Sequence, residues 1–280
     1  MFLKIGKRKF NLSKSPLIVG ILNLTPDSFY DGNKYKSKDS VLKRVEQIVK
    51  EGADIIDVGA ESTRPNSKRI SFDKEKERLL KNIVLIRKNF SIPISIDTMK
   101  SQIADICLKE GANIVNDVTG FNFDHKMPDI IAQHKAAVII NHTPALPNLM
   151  QSKTKYKNLI LDIKNFLKSK VKASIKSGIN PNSIIIDPGI GFGKTTKQNI
   201  DLINSAKQFS RLKLPLMYGV SNKSFLGEIL NIELPKDRTN ASVVAASFCL
   251  NNGANLLRVH NIKETKEMLK IWMEFRNVRN

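Results

Sequence analysis

The stretch SIIIDPGIGFGK, residues 183–194, decides the fold. Its short, apolar, β-branched run reads as a strand. Pro188 forces Asp187 into an extended conformation, so the strand ends on a carboxylate. The glycines at 189, 191 and 193 invite a phosphate-loop reading, but their spacing rejects it. GxxxxGK[ST] would need Gly at 188, where Pro stands, and GxGxxG would need Gly at 194, where Lys stands. These glycines instead let backbone pass close to a flat ligand, with Phe192 as an apolar wall.

Working outward, comparable runs stand at 17–22, 54–58, 93–96, 113–115, 137–140, 215–220 and 255–259, which with 183–186 makes eight. Helical stripes separate them: Val41, Val45, Ile48 and Val49; Ile160, Ile163, Leu167 and Val171; Leu269, Trp272 and Phe275. Alternating strand and helix means parallel βαβ units, and eight of them close into a barrel. The expected fold is α/β, a single (β/α)8 TIM barrel over residues 1–280. An open doubly wound sheet is the structural rival, but it normally has fewer strands. FLKIGKRKFNL at the start reads as a β-hairpin turning at Gly6 and plugging the bottom of the barrel.

A polar residue follows every strand: Asn23, the 61–64 cluster, Asp97, Asn116 with Asp117, Asn141 with His142, Asp187, Ser221 and His260. One such residue alone is usually a cap or turn former. Eight together converge on the C-terminal mouth, where barrel active sites sit. Connections 23–38, 60–73, 188–198 and 221–237 are long and overhang the same mouth.

The loops suggest chemistry. In GILNLTPDSFYDG (20–32), Asn23 offers a hard neutral oxygen of the kind that suits Mg2+. GAESTRP (59–65) sets Thr63 and Arg64 as donors beside the rigid Pro65, and the arginine fork matches phosphate or carboxylate. SIDT (95–98) and NDVTG (116–120) end strands in Asp97 and Asn116. A buried Asp97 needs a ligand, a Lys or an Arg as partner. An aminopyrimidinone ring fits, since its N–H donors match a carboxylate and its carbonyl an amide. GVSNKSFLG (219–227) brings Lys223 and Ser224 together, Ser224 opening a short helix. LRVHN (257–261) puts Arg258 and His260 on one face by the period of two, beside a helix N-terminus, as an anion site. His125 and His134 read as surface residues, and no zinc motif or Ser-His-Asp order is readable.

Composition sets the outer bounds. The formal charge is +20, but lysines are spread along the whole chain with no aromatic-interleaved basic motif, so specific nucleic-acid binding is not expected. A positive field would still draw in anionic small substrates. No signal-peptide h-region or membrane-length apolar window appears, which points to a cytoplasmic protein. Cys107 and Cys249 fit that compartment as small buried hydrophobes.

The ordered set GILNLTPDSF, ESTRP, SIDT, NDVTG, DPGIGFGK, GVSNKSFLG, DRTNASVVAA and LRVHN resembles the dihydropteroate synthase family over about residues 15–275. The resemblance implies condensation of 6-hydroxymethyl-7,8-dihydropterin pyrophosphate with p-aminobenzoate, releasing pyrophosphate, in folate synthesis. By its motifs Asn23 is the Mg2+ ligand. Asp97, Asn116, Asp187 and Lys223 bind the pterin. Thr63, Arg64, Arg258, Val259 and His260 surround the pyrophosphate. Phe29, Pro65, Phe192 and Ser224 form the p-aminobenzoate pocket. Asp97, Asp187, Lys223, Arg258 and His260 are the residues expected to carry catalysis. A homodimer through outer helices is also implied. Asn33 and Asn66 stand where the family usually has Gly, and NHTPALPNLMQ (141–151) departs from its Met-His-Met strand end, which leaves one pterin-packing position open. The rivals are a pterin-dependent methyltransferase acting on methyltetrahydrofolate, which has no need of the Arg258/His260 anion site, and an inactive pterin-binding barrel.

Overall fold

The computed structural model describes residues 1–25, 37–62 and 69–277. A hairpin of β1 (Phe2–Ile5) and β2 (Arg8–Asn11) comes first, turning at Gly6 with φ +56°. Eight parallel strands follow: β3 (Leu17–Asn23), β4 (Ile55–Gly59), β5 (Ile94–Asp97), β6 (Ile114–Asp117), β7 (Ala137–Asn141), β8 (Ile184–Asp187), β9 (Met217–Tyr218) and β10 (Leu256–Val259). Each from β3 to β7 pairs with the next, and β10 lies between β3 and β9. A single bridge, Ile186 to Leu216, joins β8 to the approach of β9 and nearly closes the barrel. Eight runs in the sequence thus become eight strands.

The run at 215–220 yields only two ladder residues. Pro215 has no N–H to donate. Its carbonyl still accepts from Ile186 N at 2.9 Å, so it marks the seam.

The main helices are α1 (Lys38–Lys50), α2 (Phe72–Asn89), α3 (Ser101–Lys109), α4 (Met127–Gln133), α5 (Leu159–Lys176), α6 (Thr196–Asn204), α9 (Thr239–Asn251) and α10 (Ile262–Asn277). Two short ones intervene, α7 (Ala206–Ser210) and α8 (Ser224–Leu230). Capping boxes start α1 at Ser37 and α6 at Thr195, satisfying amides that helix geometry leaves orphaned. Alternation along each strand divides the core. Outward residues such as Ile18, Val58 and Val259 pack under the helices. Inward residues at the strand starts pack on the hairpin, where Leu3, Ile5 and Leu12 meet Leu17, Val19, Ile55, Ile114, Ile139 and Leu256. The hairpin does plug the bottom.

Two expected stripes need trimming. In α1, Val41, Val45 and Ile48 are buried but Val49 is exposed, lying one residue past the buried face. In α10, Leu269 is buried while Phe275 is 72% exposed. Phe275 joins Val244, Phe248 and Ile271 as large apolar side chains left in the open on α9 and α10. Cys107 and Cys249 are buried free thiols, as expected. His134, expected at the surface, is half-buried there, and its Nε2 stands 2.7 Å from Asp105 Oδ1.

Candidate active site

Polarity changes along single strands. β10 runs from Leu256 against the hairpin to Arg258, β6 from Ile114 to Asn116, and β8 from Ile185 to Asp187. With side chains alternating along a strand, both members of each pair face the barrel axis. The polar members surround a cavity of about 260 Å3 at the C-terminal mouth. Asn23, Asp97, Asn116, Asp187, Phe192, Lys223, Ser224, Arg258 and His260 all line it. Val259 does not. Its side chain points outward under the helices, because it is one residue out of phase with Arg258 and His260. Phe29, Thr63, Arg64 and Pro65, with Asn33 and Asn66, lie outside the described residues.

A hydrogen-bonded belt crosses five strands. Arg258 Nε donates to Asp57 Oδ2 at 2.7 Å, and Arg258 Nη2 to Asp97 Oδ2 at 2.9 Å. Asn116 Nδ2 donates to Asp57 Oδ2 at 3.1 Å, and Asn141 Nδ2 to Asn116 Oδ1 at 3.3 Å. Asp97 therefore finds the cationic partner its burial demands, and the eighth strand's arginine is held by two carboxylates. Burial raises the Asp97 pKa, against the opposing pull of Arg258. Asp57, fully buried, ties Arg258 to Asn116 and was not singled out by the sequence reading. Its signal was available: it is a carboxylate inside a predicted apolar strand, and burial obliges such a group to find a partner.

Asp187 is organised differently. Its Oδ1 accepts from Gly189 N at 2.7 Å. Burial pushes its pKa up to about 6, opposed by that hydrogen bond and by the charges of Lys223, Arg258 and Lys194. The glycines that follow make room for protein. A Cβ at Gly189 would stand 2.0 Å from His142 O, and one at Gly193 would stand 2.3 Å from Pro144 Cγ. Both have positive φ, so only glycine lets this turn nest against the 142–158 connection. That connection is a further long loop over the mouth, which the sequence reading did not count.

Lys194 locks the turn. Buried, it donates to Gly189 O and Phe192 O, both at 2.8 Å, and stands 3.2 Å from His142 Nδ1. Burial lowers its pKa to about 7, with Asp187 opposing and Lys223 adding to the shift. The Lys223 ammonium sits 4.2 Å from the centre of the Phe192 ring, a cation–π contact that spans two loops. Phe192 lines the cavity with its ring.

On β10's far side, Ser221 Oγ accepts from His260 N at 3.2 Å and lies 3.1 Å from His260 Nδ1. Below the second loop, Glu61 meets Lys100 at 2.7 Å and Arg69 at 3.3 Å, and Lys100 also pairs with Glu75. This buried network anchors both roots of that loop. Arg238, from the DRTNAS motif, donates to Ile232 O, Glu233 O and Asn222 O, and so braces the loop that carries Lys223.

Acids on two strand ends, an aromatic side chain and a basic strand end meet at the C-terminal mouth of a parallel barrel, the place where barrel enzymes carry their sites. Residues 19–260 match the family described as pterin binding enzyme. The dihydropteroate synthase of Synechocystis sp. is 38% identical over 96% of this chain and 93% of its own length. The Yersinia pestis enzyme, solved as a sulfonamide drug complex, superposes with a TM-score of 0.94 at 32% identity, covering 99% of this chain and 100% of that one. The Thermus thermophilus enzyme with 4-aminobenzoate gives 0.88 at 34%, covering 98% and 99%; with 6HMPPP it gives 0.85 at 31%, covering 99% of each. The chain belongs to the dihydropteroate synthase family of pterin-binding barrel enzymes.

Proposed function

We propose that the chain joins 6-hydroxymethyl-7,8-dihydropterin pyrophosphate to p-aminobenzoate, giving 7,8-dihydropteroate and pyrophosphate in folate biosynthesis. The observation that carries this reading is the ring of Asp97, Asn116 and Asp187 on β5, β6 and β8 around one cavity that Arg258 and His260 also line. The aminopyrimidinone edge spans Asn116 and Asp187, its N–H donors meeting the Asp187 carboxylate. Lys223 approaches the ring's heteroatoms. The bond from the exocyclic methylene to oxygen breaks, and its electron pair leaves with the diphosphate. His260 and Arg258 neutralise the departing charge, with Thr63 and Arg64 assigned to the same task by their motif. Asp97 and Asp187 stabilise the cationic pterin. The neutral amine of p-aminobenzoate then forms the C–N bond and releases its proton to water. Phe192 forms one wall of the p-aminobenzoate pocket and Ser224 anchors the carboxylate, with Phe29 and Pro65 assigned there by motif.

Among the described residues, no group of three His, Cys, Asp or Glu side chains is arranged to hold a metal. Asn23 offers a single neutral oxygen. That donor set suits Mg2+ carried in chiefly on substrate phosphates, with Asn23 as its protein ligand. Such an ion would neutralise charge on the diphosphate. The open Val244, Phe248, Ile271 and Phe275 support a homodimer through α9 and α10. No helix among the described residues is long and apolar enough to cross a membrane, and the proposed location is the cytoplasm.

The test is a coupled assay. Pyrophosphate should appear in step with dihydropteroate when both substrates are present. Pterin ester turned over to no dihydropteroate would sink the proposal.

A further inference from the structure

Asn141 stands between the two proposed pterin anchors, at the end of β7, with Asn116 on β6 and Asp187 on β8. Its side chain lines the cavity and is only 3% exposed. The hydrogen-bond belt fixes which way its amide faces. Asp57 Oδ2, bound by Arg258, can only accept. Asn116 must therefore turn its Nδ2 toward Asp57 and its Oδ1 toward β7. Asn141 then has to present Nδ2 to Asn116, which leaves its own Oδ1 as an acceptor. That oxygen is buried and has no hydrogen-bond partner in the protein. A buried acceptor left unmade is costly, so a structure that keeps one in a ligand cavity gains on meeting a donor.

We infer that Asn141 is a specificity-determining residue, whose Oδ1 accepts an N–H from the exocyclic amine of the bound ring. This rests on the pterin reading above. That amine has two hydrogens. With the aminopyrimidinone edge spanning Asn116 and Asp187, it comes between β6 and β8, beside β7. Asn141 thus extends recognition of the amine by one strand. The relay through Asn116 and Asp57 to Arg258 holds the acceptor in register before the ring arrives.

The experiment is calorimetric binding of 6-hydroxymethylpterin and of its analogue with hydrogen in place of the 2-amino group. Wild type is compared with Asn141→Leu, of similar volume, and Asn141→Met, which adapts to uneven space and guards against a folding failure. The wild-type preference for the amino ring should drop on the order of tenfold in both variants, the worth of one neutral hydrogen bond. p-Aminobenzoate affinity should stay unchanged. A preference that survives intact in both variants overturns the role of Asn141. A wild-type protein that binds both rings equally overturns the pterin reading itself, and this inference with it.

Discussion

The two ends of the barrel are built from the same strands and could hardly differ more. At the bottom, Leu17, Val19, Ile55, Ile114, Ile139, Ile185 and Leu256 seal against Leu3, Ile5 and Leu12 of the hairpin. Two to four residues further along, the same strands end in Asn23, Asp57, Asn116, Asn141, Asp187 and Arg258. Stability is concentrated at one end and chemistry at the other, as the barrel architecture allows. A change at the bottom should therefore reach folding alone, while a change at the top should reach both.

Arg258→Met gives the largest expected effect. It leaves Asp57 and Asp97 buried without their cation, and breaking a buried pair this way costs about 3–5 kcal/mol. Chemical denaturation should register that loss, and turnover of the surviving folded protein should collapse as well. Leu3→Ala, at the other end, opens a cavity in a fully buried site and should cost about 2–5 kcal/mol. Its kcat and KM, measured well below its melting temperature, should match wild type. A changed KM would mean the two ends are coupled.

A smaller effect separates the ends by pH. The pKa of Asp187 in the folded state is about 6, above the ordinary 3.8. Between those values the folded protein holds a proton that the unfolded chain has released. This group's stabilising contribution is thus complete below about 3.8 and is lost as pH rises through 6. Ligand affinity runs the opposite way, since the carboxylate is the form that accepts two N–H donors. Pterin affinity should rise up to about tenfold per unit toward pH 6 and level off above it. Calorimetry from pH 5 to 8 checks this, and affinity that falls over that span would contradict it.

The barrel was legible because strand ends in parallel βαβ units repeat one local rule, and each strand end could be read separately. DPGIGFGK and LRVHN placed Asp187, Phe192, Arg258 and His260 in the mouth for that reason. The belt was harder to read. Asp57 and Arg258 are 201 residues apart, and no local pattern reports their 2.7 Å contact. Lys194 looked like the residue that spoils a glycine motif, because the turn must fold back on Gly189 O and Phe192 O, and nest against His142, before its role shows. The glycines at 189 and 193 were read as room for a ligand, and they turned out to make room for His142 and Pro144. Val259 was taken from the motif rather than from the strand's period of two, which turns its side chain outward under the helices.

Titration of Asp187→Asn with 6-hydroxymethylpterin and, separately, with p-aminobenzoate goes straight to the claim that the sixth barrel strand's acid grips the ring. Pterin affinity should fall about 10- to 100-fold, the range for losing a charged hydrogen-bond acceptor, while p-aminobenzoate affinity barely moves. Equal weakening of the two ligands would contradict it.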